Sequence, residues 1–287
     1  LVSTLRIAIA ASALFVACCA APQLAAAQTA PTPSPAPSAT PAAVSDPCTA
    51  LSALVSRPTF GTAACAVKPN DLLIESGYTN LTTSGTGANS AVTYPQASLR
   101  VGVAHDLEFD LDPSSIERIS GPPTVKDTTD TSLGVKYEIG YTSELLYGVN
   151  VVYTVNSGGP IAGSNGEGVL ANFNGAWTLS PAVGLFATVG YNAQSAGTRD
   201  APQRYRGIDP SLGGSVSLPA SFTFALEGFG QSSTAPGEGG RYGLDAAVER
   251  GFGSRVQLDV NYFDYLGVQN GAHLHSIGFG AAYLIGP

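Results

Sequence analysis

Apolar and polar residues alternate one for one along most of the chain after Pro69. Ala97, Leu99, Val101 and Val103 alternate with Ser98, Arg100 and Gly102, and beyond a His105-Asp106 turn Leu107, Phe109 and Leu111 alternate with Glu108 and Asp110. The pattern repeats with Leu133, Val135, Tyr137, Ile139 and Tyr141 against Gly134, Lys136, Glu138 and Gly140, and again with Leu145, Tyr147, Val149, Val151 and Tyr153 against Gly148, Asn150 and Thr154. Period two over about ten residues, with one apolar and aromatic face and one Gly, polar or charged face, is the signature of a strand in a transmembrane β-barrel. Eight further segments fit: 72–80, 169–178, 183–191, 212–218, 222–230, 242–249, 256–263 and 277–284. Together they predict an all-β fold, a twelve-stranded antiparallel barrel over 70–287.

The connections alternate in length. Short turns such as His105-Asp106, Thr142-Ser143 and Ser180-Pro181 separate long polar segments at 81–95, 112–130, 155–167, 193–210, 231–240 and 264–274. Short periplasmic turns and long external loops are the outer-membrane arrangement. An open edge in hydrocarbon leaves backbone groups unsatisfied, so the first and last strands must pair. Aromatics near strand ends, among them Tyr78, Tyr137, Tyr141, Trp177, Tyr242 and Tyr283, are expected to form interfacial girdles.

Composition agrees with this. Charged residues make up 12% of the chain and glycine 34 of 287 residues, and no stretch outside the extreme N-terminus is long and apolar enough for a spanning helix. Residues 1–27, with Arg6, the apolar run Ile7 to Val16 and Ala25 to Ala27, read as a secretory signal. Residues 28–47, rich in Pro, Ala, Ser and Thr, read as a disordered linker. In an exported chain Cys48 and Cys65 favour a disulfide, closing a loop worth ~3 kcal/mol in the chain-entropy model. The segment 48–69 is then either a cap at the periplasmic mouth or a plug or docking element. The formal net charge of −8, with no basic cluster, argues against a nucleic-acid partner.

By the alternation the barrel interior receives Glu75, Arg100, Glu108, Asp110, Lys136, Glu138, Asn150, Asn172, Asn174, Glu227, Asp245, Glu249, Gln257, Asp259 and Asn261. Such a lining either concentrates cations in a water-filled lumen or fills a narrow one, with Arg100 pairing Glu108 and Lys136 pairing Glu138 or a neighbouring acid. No cofactor or metal is expected. A hydrolase reading fails because period two turns His275 towards lipid and Ser276 the other way, with no nucleophile–base spacing. His273-x-His275 lacks a third metal ligand.

Four segments, LIESGY from Leu73 to Tyr78, YPQASLRVGV from Tyr94 to Val103, LEFD from Leu107 to Asp110 and TSLGVKY from Thr131 to Tyr137, resemble the outer-membrane β-barrel transporter group labelled MetA pathway of phenol degradation. That resemblance implies a bacterial outer-membrane, transporter-like protein passing small solutes, including aromatic or hydrophobic compounds. Its partners would be outer-membrane lipid, lipopolysaccharide and the barrel-insertion machinery. Unlike many such barrels, the sequence ends on Gly286-Pro287 rather than an aromatic residue. The competing reading is a structural or surface-interaction barrel with a closed lumen.

Overall fold

The computed structural model describes residues 45–286 apart from 86–87, 199 and 267–272; the signal read over 1–27 and nearly all of the linker lie outside them. A single 3-10 turn, Pro47–Thr49, and one helical turn, Leu51–Leu54, precede the strands. The strands are β1 (Leu72–Ser84), β2 (Asn89–Tyr94), β3 (Ser98–Ala104), β4 (Leu107–Asp112), β5 (Ile116–Ile119), β6 (Val125–Thr128), β7 (Thr131–Tyr141), β8 (Leu145–Val155), β9 (Gly168–Ser180), β10 (Val183–Thr198), β11 (Ala201–Leu218), β12 (Phe222–Gln231), β13 (Arg241–Phe252), β14 (Val256–Tyr265) and β15 (His273–Ile285).

Twelve of them, β1, β3, β4 and β7 to β15, form a closed antiparallel barrel. Closure runs from Leu72 opposite Ile285 to Ser84 opposite His273, so the end strands leave no edge to lipid. The alternation sorts cleanly between faces. Glu108 is 0% exposed beside Phe109 at 50%, Lys136 1% beside Tyr137 at 47%, and Glu227 1% beside Leu226 at 50%. A protein in water would bury the opposite face, so the apolar exterior is one made for hydrocarbon.

The three remaining strands sit where only polar loop was expected. β2, β5 and β6 extend the sheet sideways from the upper half of β1, with Asn80 opposite Val92, Val92 opposite Arg118 and Arg118 opposite Lys126. The segment 193–210 likewise continues the β10–β11 hairpin, pairing as far as Thr198 opposite Ala201. These ladders occupy the long-loop end of the sheet. Threonine and other β-formers there are free of the apolar alternation that marks the spanning strands.

One predicted lipid-facing aromatic points inward. The β7–β8 register shifts between Glu138 and Gly140, leaving Ile139 as a bulge. The extra residue reverses the side of everything after it. Tyr141 therefore pairs with inward Leu146 and packs against the buried apolar cluster instead of joining the girdle.

Candidate functional site: the barrel interior and the segment inside it

The inside of the barrel is occupied by the chain's own residues 48–68. Their backbone donors are received by inward side chains from strands all round the wall. Ser56 and Arg57 N–H reach Glu75 on β1, Val67 N–H reaches Glu108 on β4 at 2.5 Å, and Ala66 N–H reaches Glu138 on β7. Thr62 N–H donates to Thr188 on β10, and Phe60 and Gly61 N–H donate to Glu227 on β12 at 2.7 and 3.0 Å. Asn261 on β14 donates to the Pro58 carbonyl. A segment with no regular structure of its own beyond one helical turn must find partners for its amides, and the interior carboxylates supply them.

The disulfide Cys48–Cys65 closes this segment and sits at the short-turn end of the barrel. Around it Leu51, Leu54, Val55, Ala64 and Val67 pack against Leu73, Leu146 and Ala282 of the wall. The segment lies inside the barrel rather than across its mouth. Gly102 on β3 allows this close approach, since any side chain there would collide with the Lys68 carbonyl.

Arg100 is the hub of the interior charges. Its guanidinium donates to Glu75 at 2.6 Å, to Glu108 through Nε at 2.8 Å and Nη2 at 3.1 Å, and to the Leu54 carbonyl. Lys136 lies 3.6 Å from Glu108, and the Glu138 carboxylate faces Lys68 at 3.8 Å instead. Asn150 accepts from Asn174, which in turn accepts from Thr188. Asp110, 3.9 Å from Arg100, is half-buried, and Asn172 is buried in the wall. Glu249 accepts from Gln257, Asp245 faces Glu227 across the strand pair, and Asp259 lies 3.9 Å from Arg57. Of the residues assigned to the interior from the alternation, all but the half-buried Asp110 and Glu249 are buried, while neighbours such as Phe109 and Val248 are exposed. The acids are not a uniform cation-attracting ring, however: the inner segment and Arg100 engage Glu75, Glu108, Glu138 and Glu227, whereas Asp245 and Asp259 keep both carboxylate oxygens without a hydrogen-bond partner.

Two cavities border the inner segment among the described residues. One of ≈ 400 Å³ opens on the long-loop side between Gln96, Arg100, Asp112, Thr129, Asn150 and Asn172. The other, ≈ 280 Å³, lies on the short-turn side between Leu146, Phe186, Ser217, Ala225 and Glu249. Arg57 and Thr62 belong to the walls of both. Arg57 donates to Gln96 at 3.2 Å, and its guanidinium rests in a notch made by Gly77 and Gly280, which face each other across the closing strand pair. Arg57 and Thr62 are thus the boundary between the two chambers. Neither is in a barrel strand, so alternation was blind to them. Arg57 is nonetheless the one charged residue between Cys48 and Cys65, a signal that this loop was not built to face water on all sides.

On the long-loop side two acids fasten the loops. Asp130 accepts from the amides of Ser157, Gly158 and Ser164, and Asp127 from those of Ile161 and Ala162. Burial raises the Asp130 pKa, but the donated hydrogen bonds outweigh it and hold it below 3.8. No ion is needed to explain either acid. His273 and His275 stand on the outward face beside Asp264, and His105 pairs with Asp106 in an exposed turn.

No protein-family model and no curated protein sequence matches the chain. Solved structures do. An outer-membrane channel from Pseudomonas putida F1 superposes with a TM-score of 0.60 at 13% identity, covering 77% of this chain and 98% of that one. The NanC porin superposes with a TM-score of 0.50 at 12% identity, covering 72% and 98%. The likeness is one of fold. One is described as an outer-membrane channel and the other as a porin.

Proposed function

We propose that the protein is an outer-membrane channel for the passive passage of small solutes, entered from the long-loop chamber and left through the short-turn chamber past Arg57 and Thr62. The observation that carries this reading is that the two chambers share those two residues as their common wall. Arg57 is held by the Gln96 side-chain oxygen at 3.2 Å, by the Phe279 carbonyl at 3.4 Å and by the buried Asp259 at 3.9 Å rather than by a close bidentate pair, so its movement breaks no short ion pair. The second chamber sets Leu146, Phe186 and Ala225 against Thr178, Ser215, Ser217, Thr223 and Glu249, a mixed lining that suits weakly polar solutes. That agrees with the aromatic or hydrophobic compounds implied by the resemblance to the phenol-degradation transporter group, and long loops on the outside give the channel its orientation.

Single-channel recording in planar bilayers tests this. The wild-type protein is expected to give small steps, and Arg57→Ala larger ones with reversal potentials shifted towards cations, since it removes the positive charge at the boundary. Steps of unchanged size in Arg57→Ala would refute the assigned boundary. Silence from both proteins would favour a structural barrel whose lumen stays closed.

A further inference from the structure

The charges on the outward face are distributed unlike those of the chain as a whole. Although acids exceed bases 21 to 13, the acids of the barrel strands point inward apart from Asp264 near the end of β14, which pairs with His273. Arg204 and Arg206, by contrast, stand on the outward face of β11, in register with Ser195 and Ala193 of β10. They continue the column of Leu212, Pro210 and Ile208, whose leucine is 64% exposed towards lipid.

The wall ends there too. The last bond between β11 and the segment after β12 is Ser232 N–H to the Ile208 carbonyl, so Arg206 lies about 7 Å and Arg204 about 13 Å beyond the full-height barrel. At that height the outward column of β11 changes from apolar Leu212, Pro210 and Ile208 to charged Arg206 and Arg204. Neither guanidinium has a hydrogen bond or ion pair among the described residues. Together they border an outward pocket of ≈ 160 Å³ whose other walls include Tyr153, Val169, Ala193 and Glu167. The one acid in that wall, Glu167, lies with Tyr153 on the side of the pocket across from the two arginines' strand.

We propose that this pocket docks the phosphate of a lipid headgroup in the leaflet facing the long loops, with an acyl chain lying down the Ile208–Leu212 column. Two planar, permanently charged forks on adjacent outward positions match the oxygens of a phosphate monoester. The apolar column below them supplies the surface for the chain. An acidic protein thereby gains a cationic hold on an anionic membrane surface, without placing any base in the hydrocarbon.

The inference rests on the membrane reading of the barrel, and one experiment separates the two. The protein is reconstituted in phosphatidylcholine nanodiscs containing either phosphatidic acid or diacylglycerol, released, and its retained lipid counted by native mass spectrometry. The wild type is expected to keep phosphatidic acid and not diacylglycerol. The double variant Arg204→Gln/Arg206→Gln should keep about tenfold less or lower still, while Arg255→Gln at the opposite end of the barrel keeps as much as the wild type. Equal retention in wild type and double variant overturns the site, as does displacement of the lipid by inorganic phosphate alone. Retention of no lipid by any of the proteins overturns the membrane reading itself. Heat-modifiable electrophoretic mobility checks that each variant is folded.

Discussion

Deleting residues 46–67 should raise the single-channel conductance by about an order of magnitude while leaving a folded barrel. The reasoning starts from barrel size. Eight strands leave room only for side chains and sixteen leave an aqueous channel, so a twelve-stranded wall with its inner segment removed should hold a continuous water column. The segment now spans the interior from Glu75 on β1 to Glu227 on β12. Its removal strips Glu108 of the Val67 amide and Glu227 of the Phe60 and Gly61 amides. Water entering the cleared lumen can replace those donors, which is why the barrel should survive the loss. The Phe60 ring, stacked on Phe229 at 4.4 Å, goes with the segment and clears the side of the lumen lined by β12. Conductance that stays at the wild-type level in a heat-modifiable, folded variant would mean that the segment does not obstruct passage.

The second large effect is expected at Arg100. Replacing it by leucine in the intact protein should destabilise folding by about 3–5 kcal/mol, because it leaves Glu75 and Glu108 buried without their shared cation. The Leu54 carbonyl also loses a donor. Lys136, 3.6 Å from Glu108, can compensate one acid and not both. Arg100→Lys should recover only part of the loss, since an ammonium cannot present Nε and Nη2 side by side to one carboxylate while reaching a second. Urea unfolding of the reconstituted protein measures both. A loss below about 1 kcal/mol, the value of an exposed pair, would show that water reaches the cluster freely.

How much of this could be read from residues alone follows from what lipid demands. The spanning strands announced themselves because hydrocarbon on one side forces every second residue to be apolar, as Leu133, Val135 and Tyr137 show against Gly134 and Lys136. Closure followed from backbone chemistry. The strands outside the hydrocarbon carried no such constraint, so Asn89–Tyr94 and Val125–Thr128 looked like loop. Tyr141 was misplaced because a bulge at Ile139 is invisible to a strict count of two.

The interior was legible only by half. Alternation says that Glu108 and Glu227 point inward but not what meets them there. The same sequence between Cys48 and Cys65 fits a cap at the mouth equally well. Its place inside is fixed by contacts between residues far apart in the chain, among them Val67 to Glu108 at 41 residues, Phe60 to Glu227 at 167 and Pro58 to Asn261 at 203, which no local pattern encodes. Two marks of that placement are nonetheless written in the sequence. One is the near absence of charge in that loop apart from Arg57. The other is the run of inward glycines, Gly77, Gly102 and Gly280, where a barrel filled by its own side chains would have placed bulk.

Amide hydrogen exchange of the protein in lipid nanodiscs, resolved to the inner segment, addresses the central claim most directly. If the segment is held by the wall, the amides of Phe60, Gly61 and Val67 should exchange as slowly as those in the middle of β12 and β4, because each donates to a buried carboxylate. Exchange of those three amides at the rate of an unstructured peptide would contradict it.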